Sequence, residues 1–292
     1  MVSWGITKKE TYLFFDYSCI GRYFSVVLFK KSKDFSVAIN ANSSTNKVKR
    51  KIFYNLIIII TLMALNSFDN ESLAQNKTDS VIKIKSCNDF EITGTGSSEV
   101  WERTAWINIP QRSDKPITYI TKAKVLYSET GLYFLFDCED KKLIATMNAD
   151  NLDLWEEDVV EVFLWTKEDF PVYFEYELSP LNYELPILVP NYKGDFLGWL
   201  PWHYEGNKRT RHATSVREGN KESGGQISAW VAEFFIPYKL LSPLQQVPPK
   251  SGTIWRANMY RIDYDQGITL FSWQKIESTY HEYNKFGTFI FE

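Results

Sequence analysis

Residues 153–165 read DLWEEDVVEVFLW, and their pattern decides the fold. The last seven residues alternate. Val159, Glu161, Phe163 and Trp165 fall on one face of an extended chain, and Val160, Val162 and Leu164 on the other. The second set is an ordinary core face. The first mixes a carboxylate with large aromatic rings, and such a mixture suggests a surface that holds something. Trp155 stands just before the strand, among acids.

Around this strand the chain repeats the same grammar. ITKAKVLYSETGLYFLFDCED, ending at Asp140, is two apolar runs about the turn Ser128–Gly131, which predicts a hairpin. Glu139 to Glu157 is acidic and loop-like. PVYFEYELSP, from Pro171, is a second alternating strand, with Glu175 and Glu177 on one face. The stretch 191–209, NYKGDFLGWLPWHYEGNKR, reads as a long aromatic loop. A short helical turn is expected around Val100 to Thr104, and another short helix after Pro237. IWRANMYRIDY, ITLFSWQKI and FGTFIFE close the chain as strands. Long amphipathic helices are missing, so the expected class is all-β: an antiparallel β-sandwich or jelly roll with long aromatic loops.

Bulk numbers narrow the function. The chain has 292 residues, 44% of them hydrophobic, enough for a sizeable core. A formal net charge of -3 argues against nucleic-acid binding, which calls for a basic patch. Aromatic residues reach 16%, and aromatic rings both fill sandwich cores and stack on flat apolar faces of ligands. The three cysteines, Cys19, Cys87 and Cys138, form no CxxC; Cys87 and Cys138 could pair in an exported protein. His203, His212 and His281 have no ligand spacing.

The segment 47–65, KVKRKIFYNLIIIITLMAL, places a basic cluster before an apolar run of signal-peptide length, and Ser72 and Ala74 suit a cleavage site after Ala74. Residues 47–74 therefore read as a signal peptide, and the protein as secreted, periplasmic or envelope-located. Residues 1–46 before it carry no clear motif. They suggest a start set too early, with Val48 the true initiator, or else the tail of a signal anchor. Residues 75–87 read as a linker becoming a first strand, and 88–292 as the sandwich.

Taken in order, GLYFLFDCED, LWEEDVVEVFL, WVAEFFIPYKLL, WRANMYRID and NKFGTFIF resemble family 9 carbohydrate-binding modules and their DOMON-like relatives, over roughly Phe90 to Glu292. The resemblance rests on Trp155, Asp158, Val160, Glu161 and Phe163 together with Lys285, Phe286 and Gly287. It implies a β-sandwich that clamps a sugar between two rings without cleaving it. It implies that Trp155 is the first ring, Tyr280 the second (where the xylanase-attached modules have Trp) and Glu161 an acidic contact. Glu175 and Glu177 fall near positions where those modules have Arg and Asn, and Tyr260 near a glutamine, so the chain resembles a diverged branch.

The chemistry suits that reading. A pyranose offers C–H groups to an aromatic face and hydroxyls to carboxylates. Trp155, Tyr260, Tyr280, Glu161, Glu175 and Glu177 supply both, and Arg261 and Lys285 are the cations expected to partner the acids. Trp199 and Trp202 are secondary stacking candidates, or else pins that hold their loop to the body. Glycoside hydrolysis by the acidic face is the enzymatic alternative, and an envelope structural or interaction protein is a third. No cofactor is expected beyond a structural calcium, which the resemblance implies because family members carry one, and for which Asp137, Glu139, Asp140, Asp150 and Asp153 are the oxygen ligands at hand. Some DOMON-like relatives hold haem through Met and His, and the resemblance implies Met259 with His281 as such a pair here. The expected partners are a poly- or oligosaccharide and glycan-degrading enzymes.

Overall fold

The computed structural model describes strand backbone at residues 2–7, 10–18, 23–31 and 34–41, and the chain at residues 80–192, 195–202 and 204–292. The signal-like segment 47–74, Cys19 and His203 lie outside the described residues. Among those described, no helix is long and apolar enough to cross a membrane. The chain divides into two compact units, Met1–Asn76 and Lys77–Glu292. The first holds β1 (Val2–Thr7), β2 (Glu10–Ser18), β3 (Tyr23–Lys31) and β4 (Asp34–Ala41), an antiparallel meander in that order. The sequence reading had found no element there.

The second unit is built of β5 (Val81–Ser86), β6 (Ile107–Asn108), β7 (Thr121–Tyr127), β8 (Gly131–Glu139), β9 (Val159–Trp165), β10 (Val172–Leu178), β11 (Glu184–Tyr192), β12 (Asp195–Phe196), β13 (Leu200–Pro201), β14 (Arg211–Arg217), β15 (Ala229–Pro237), β16 (Ile254–Asp263), β17 (Thr269–Ser272) and β18 (Gly287–Phe291). The strands follow one path, β12-β11-β10-β9-β16-β18-β5-β7-β8-β15-β14. The path folds over at β5, whose first residues pair with β18 and whose last two pair with β7. Both pairings are parallel, so the sheet is mixed rather than purely antiparallel. The leaf β11-β10-β9-β16-β18 thus faces the leaf β7-β8-β15-β14. Val160, Val162, Leu164 and Tyr176 from the first meet Phe134, Phe136, Trp230 and Phe234 from the second in one core. Tyr176 and Phe234 touch across the gap, ring centroids 4.8 Å apart.

The alternation read in β9 holds. Its odd positions, Val159, Phe163 and Trp165, belong to a separate apolar cluster on the outer face of the first leaf. All seven residues of β9 are nevertheless buried, because other chain covers that outer face. The outer face of the second leaf is covered too, by the segment carrying Phe90 and Trp101. Glu233 of β15 fixes it: its carboxylate accepts from the Trp101 indole N–H at 2.8 Å and from the Thr93 and Gly94 amides at 3.0 and 2.7 Å.

Two expectations change. The chain leading into the stretch 191–209 is a strand, β11, despite Pro186 and Pro190, and it takes in the first two residues of that stretch. In an antiparallel ladder a residue's N–H and C=O point to the same side. The carbonyls of Pro186 and Pro190 turn away from β10 and accept from Trp202 and Leu197, so the missing N–H groups also lie off the β10 ladder. Beyond Pro237 the chain makes turns, not a helix. The helical turn expected near Val100 is present as the 3-10 turn Glu99–Arg103. Cys87 and Cys138 are both free; Cys138 is buried in the core, and burial pushes its thiol up to about 12.

Candidate functional site

The motif around β9 divides into structural and outward-facing parts. Leu154 is buried and anchors the 3-10 turn Leu154–Glu156, leaving the neighbouring Trp155 ring half-buried. The Trp155 carbonyl accepts from the Tyr264 hydroxyl at 2.8 Å. Asp158 is fully buried and accepts from two amides, Ile144 at 2.6 Å and Tyr264 at 2.8 Å. It therefore ties the acidic loop to the end of β16. Val160 enters the core. Phe163 faces outward, and by the same alternation so does Glu161.

Register brings the predicted acids together. Glu161 of β9 lies opposite Glu177 of β10 on one side and Tyr260 of β16 on the other. Glu175, two residues from Glu177, lies opposite Phe163. The three carboxyls are 2%, 4% and 0% exposed. Glu161 Oε1, Glu175 Oε2 and both oxygens of Glu177 are buried with no donor from another residue. The bond open to them is a proton shared within the cluster, between Glu175 and Glu177. Burial first, and then the neighbouring carboxylates, hold Glu161 and Glu177 well above the usual carboxylate range. Burial pushes Glu175 up to about 8.

A shell of rings surrounds these acids. Phe163 packs against Tyr173, Tyr260 and His281 at centroid distances of 5.7, 4.9 and 5.5 Å. Tyr280 lies flat on Tyr260, 4.0 Å away and 15° from parallel. The Tyr280 hydroxyl bonds the carbonyls of Arg261 and Phe271 at 2.9 and 3.1 Å. His281 bonds the Tyr173 hydroxyl at 2.6 Å and is stacked under Phe196 at 4.2 Å. Its Nδ1 is 3.8 Å from Glu175, but burial lowers its pKa to about 4, so it brings no positive charge at neutral pH. Trp155 meets the edge of Trp199 at 5.5 Å, and Trp199 is 38% exposed. Trp202 instead pins its loop, its indole N–H donating to the Leu240 carbonyl at 3.0 Å.

Some expected members are elsewhere. Arg261 follows Tyr260 in β16 and so faces the opposite side of the leaf. It is fully buried, pairs with Asp140 at 3.0 Å and Asp263 at 2.5 Å, and donates to the Glu139 carbonyl at 2.6 Å. Lys285 pairs with exposed Glu277 at 2.9 Å. Neither meets the outer acids, and no other Lys or Arg pairs with them among the described residues. Met259 is in the core while His281 lies outside the leaf, so the two do not flank a common haem.

The five calcium candidates do not gather. Asp137 pairs with Lys122 at 3.3 Å and with Arg217; Glu139 accepts from the Ile120 amide at 3.0 Å; Asp150 accepts from the Glu184 amide at 3.1 Å; Asp153 is exposed. Only Asp140 joins a carboxylate group, with Asp158 and Asp263, whose ligand atoms lie within 4.8 Å of one another. There Arg261 and the backbone N–H groups already occupy the oxygens. This set does not fit a calcium cage.

Tyr173, Phe196 and His281 were not singled out from the sequence as members of the site. Tyr173 had a signal, because it sits two residues before Glu175 and shares its face. The Lys-Phe-Gly motif is structural here: Phe286 is buried in the outer cluster. A Cβ at Gly287 would come within 2.4 Å of the Trp273 ring, so only glycine lets β18 pass.

Comparison with known proteins agrees with the resemblance read from the sequence. Residues 92–188 match the model of the carbohydrate family 9 binding domain-like family, a stretch that includes Trp155, Glu161, Glu175 and Glu177. That family is one of binding domains rather than enzymes. The fold is similar to a provisionally assigned carbohydrate-binding protein of Bacteroides uniformis, with 16% identity, a TM-score of 0.61, and 73% of this chain and 99% of that one covered. It is also similar to a family 9 carbohydrate binding module of Caldicellulosiruptor kristjanssonii. The complex with glucose has 16% identity and a TM-score of 0.50, covering 73% of this chain and 95% of that one. The complex with cellotriose has 17% identity and a TM-score of 0.50, covering 72% and 94%. No curated protein matches.

Proposed function

We propose that this chain is a carbohydrate-binding protein that holds a sugar on the outer face of the β9–β10–β16 leaf and does not cleave it. Trp155, with Trp199 at its edge, supplies the stacking surface. Glu161, Glu175 and Glu177 accept the sugar's hydroxyl protons. The observation that carries this reading is the set of buried carboxyl oxygens without donors beneath an aromatic shell, on the segment that matches the family model. Buried polar groups are almost always satisfied, so a set left open calls for a missing partner. Sugar hydroxyls are such partners, and the solved neighbours bound to glucose and cellotriose support the choice.

Hydrolysis is a poorer fit. A glycosidase sets two carboxyls on either side of the scissile bond. Here Glu161 and Glu177 are direct neighbours on one sheet face. The signal-like segment 47–74 supports action outside the cytoplasm, in polysaccharide breakdown beside partner enzymes.

The test is a glycan screen on the purified protein and on Trp155→Ala, with soluble oligosaccharides and insoluble polysaccharides, and with released reducing sugar assayed in each sample. Binding that Trp155→Ala weakens at least tenfold, with no sugar released, supports the reading. Released sugar would make the acids catalytic. No binding to any glycan would leave the fold without this function.

A further inference from the structure

The acids on the outer leaf have an electrostatic peculiarity that a site for neutral sugar does not require. Three carboxyls lie within one sheet neighbourhood, and no Lys or Arg pairs with them among the described residues. Among the described residues the basic group beside them is His281, 3.8 Å from Glu175, with its Nδ1 turned to the Tyr173 hydroxyl. Four carboxyl oxygens are buried and accept nothing from outside the cluster. Like charges opposite one another on a sheet repel, and a buried carboxylate without a cation is costly, so these acids keep their protons until a cation arrives to let them ionise. The cluster is therefore complementary to a positive charge rather than to hydroxyls alone. Its cover is laid by side chains of irregular chain and of a two-residue strand, Tyr280, His281 and Phe196, which a ligand can displace without breaking a long ladder.

We infer that the sugar bound here carries an ammonium group: the ligand is an amino sugar with a free amine, its cation set among Glu161, Glu175 and Glu177 while its ring stacks beside Trp155. This rests on the carbohydrate-binding reading above and narrows its ligand class. An N–H₃⁺ group has three donors for these open oxygens, and charge-assisted bonds of this kind are about twice as strong as neutral ones. A metal ion would answer the charge equally but would leave the aromatic wall without a role.

The experiment is calorimetric titration of the whole protein at about pH 7 with three trisaccharides of matched linkage: glucosamine, N-acetylglucosamine and glucose. They differ only at C2, as ammonium, amide and hydroxyl. The glucosamine trimer is expected to bind at least tenfold tighter than the other two. In Glu175→Gln, or in Glu177→Gln should the first fail to fold, that preference is expected to fall below threefold. Equal or weaker binding of glucosamine, with glucose still bound, overturns the inference and leaves the carbohydrate reading standing. A preference that survives the substitution overturns the assignment to these acids. Calcium added alone that binds at the cluster, without an ammonium preference, overturns it as well. No binding of any trimer overturns both readings.

Discussion

Two acid triads are buried in this sandwich, and they are treated in opposite ways. Asp140, Asp158 and Asp263 sit at the end of the sandwich where β8 and β16 finish. Their oxygens are taken up by Arg261 and by the amides of Lys142, Ile144, Tyr264 and Asp265. Glu161, Glu175 and Glu177 sit on regular strands and meet rings, each other and, among the described residues, no Lys or Arg. The first triad is a completed network, and its purpose is to lock loop to strand. The second is incomplete by itself, and completion from outside is what a binding surface provides. Burial alone does not mark function; what separates the triads is whether the chain supplies the counter-charge.

The sharpest way to break this contrast is Arg261→Met. Removing the one cation from the aspartate triad leaves three buried carboxyls with amides only, and urea unfolding at pH 7 is expected to show a loss of about 3–5 kcal/mol. That loss should narrow at acid pH as the carboxyls take up protons. A change under about 1 kcal/mol would mean that Arg261 is dispensable and the triads are alike.

The next effect is a pH slope from the glutamate triad. Glu175 is raised from 4.5 to about 8 by burial, so the folded state binds more protons than the unfolded one in between. Stability from this group is fully present below about pH 4.5 and is lost as pH rises toward 8, by a few kcal/mol on linkage grounds. Glu175→Gln removes the titrating carboxyl. Its urea midpoint should therefore vary less between pH 5 and pH 8 than that of the parent, and lie above it at pH 8. A parallel pair of profiles would show that Glu175 ionises freely in the fold.

Smaller still is Trp155→Ala. Its ring is half-buried at the rim, so glycan affinity should fall at least tenfold, about 1.4 kcal/mol, while stability changes by less than about 1 kcal/mol. A loss of stability without a loss of binding would make Trp155 a packing residue. Smallest is Asp153→Asn at the exposed position once considered for calcium. It is expected to leave stability within about 0.5 kcal/mol, and a chelator should leave the melting temperature of the parent unmoved.

Much of this was legible from local pattern. Alternation placed Glu161, Phe163, Glu175 and Glu177 on their faces and put Val160 and Val162 in the core, because side-chain direction in a strand depends only on parity. Parity also shows that Tyr260 and Arg261, being consecutive, cannot serve one face, although both had been expected at the same site. What the pattern could not show was pairing. Arg261 finds Asp140, and Asp158 finds Tyr264 just past the end of the β9–β16 ladder, each across more than a hundred residues. β11 was hidden by its prolines, which forbid a central strand and are accepted here because the β10 ladder runs along the other side. Tyr280 was placed in the site, but its stacking on Tyr260 and the bonds of its hydroxyl to backbone carbonyls depend on how residues 273–286 drape over the leaf.

The strand β5 carries one more consequence. It is the first strand of its unit, it lies beside the last strand, β18, and it alone joins the two leaves along the main path. Thr288 to Phe291 must be present before Val81 to Ile84 can find their ladder. The sandwich therefore cannot close behind a growing chain; it waits for β18 to arrive. Contacts of such sequence separation make folding slow, so an emerging chain stays open until β18 is available, and deleting Thr288–Phe291 should undo the seam between the leaves.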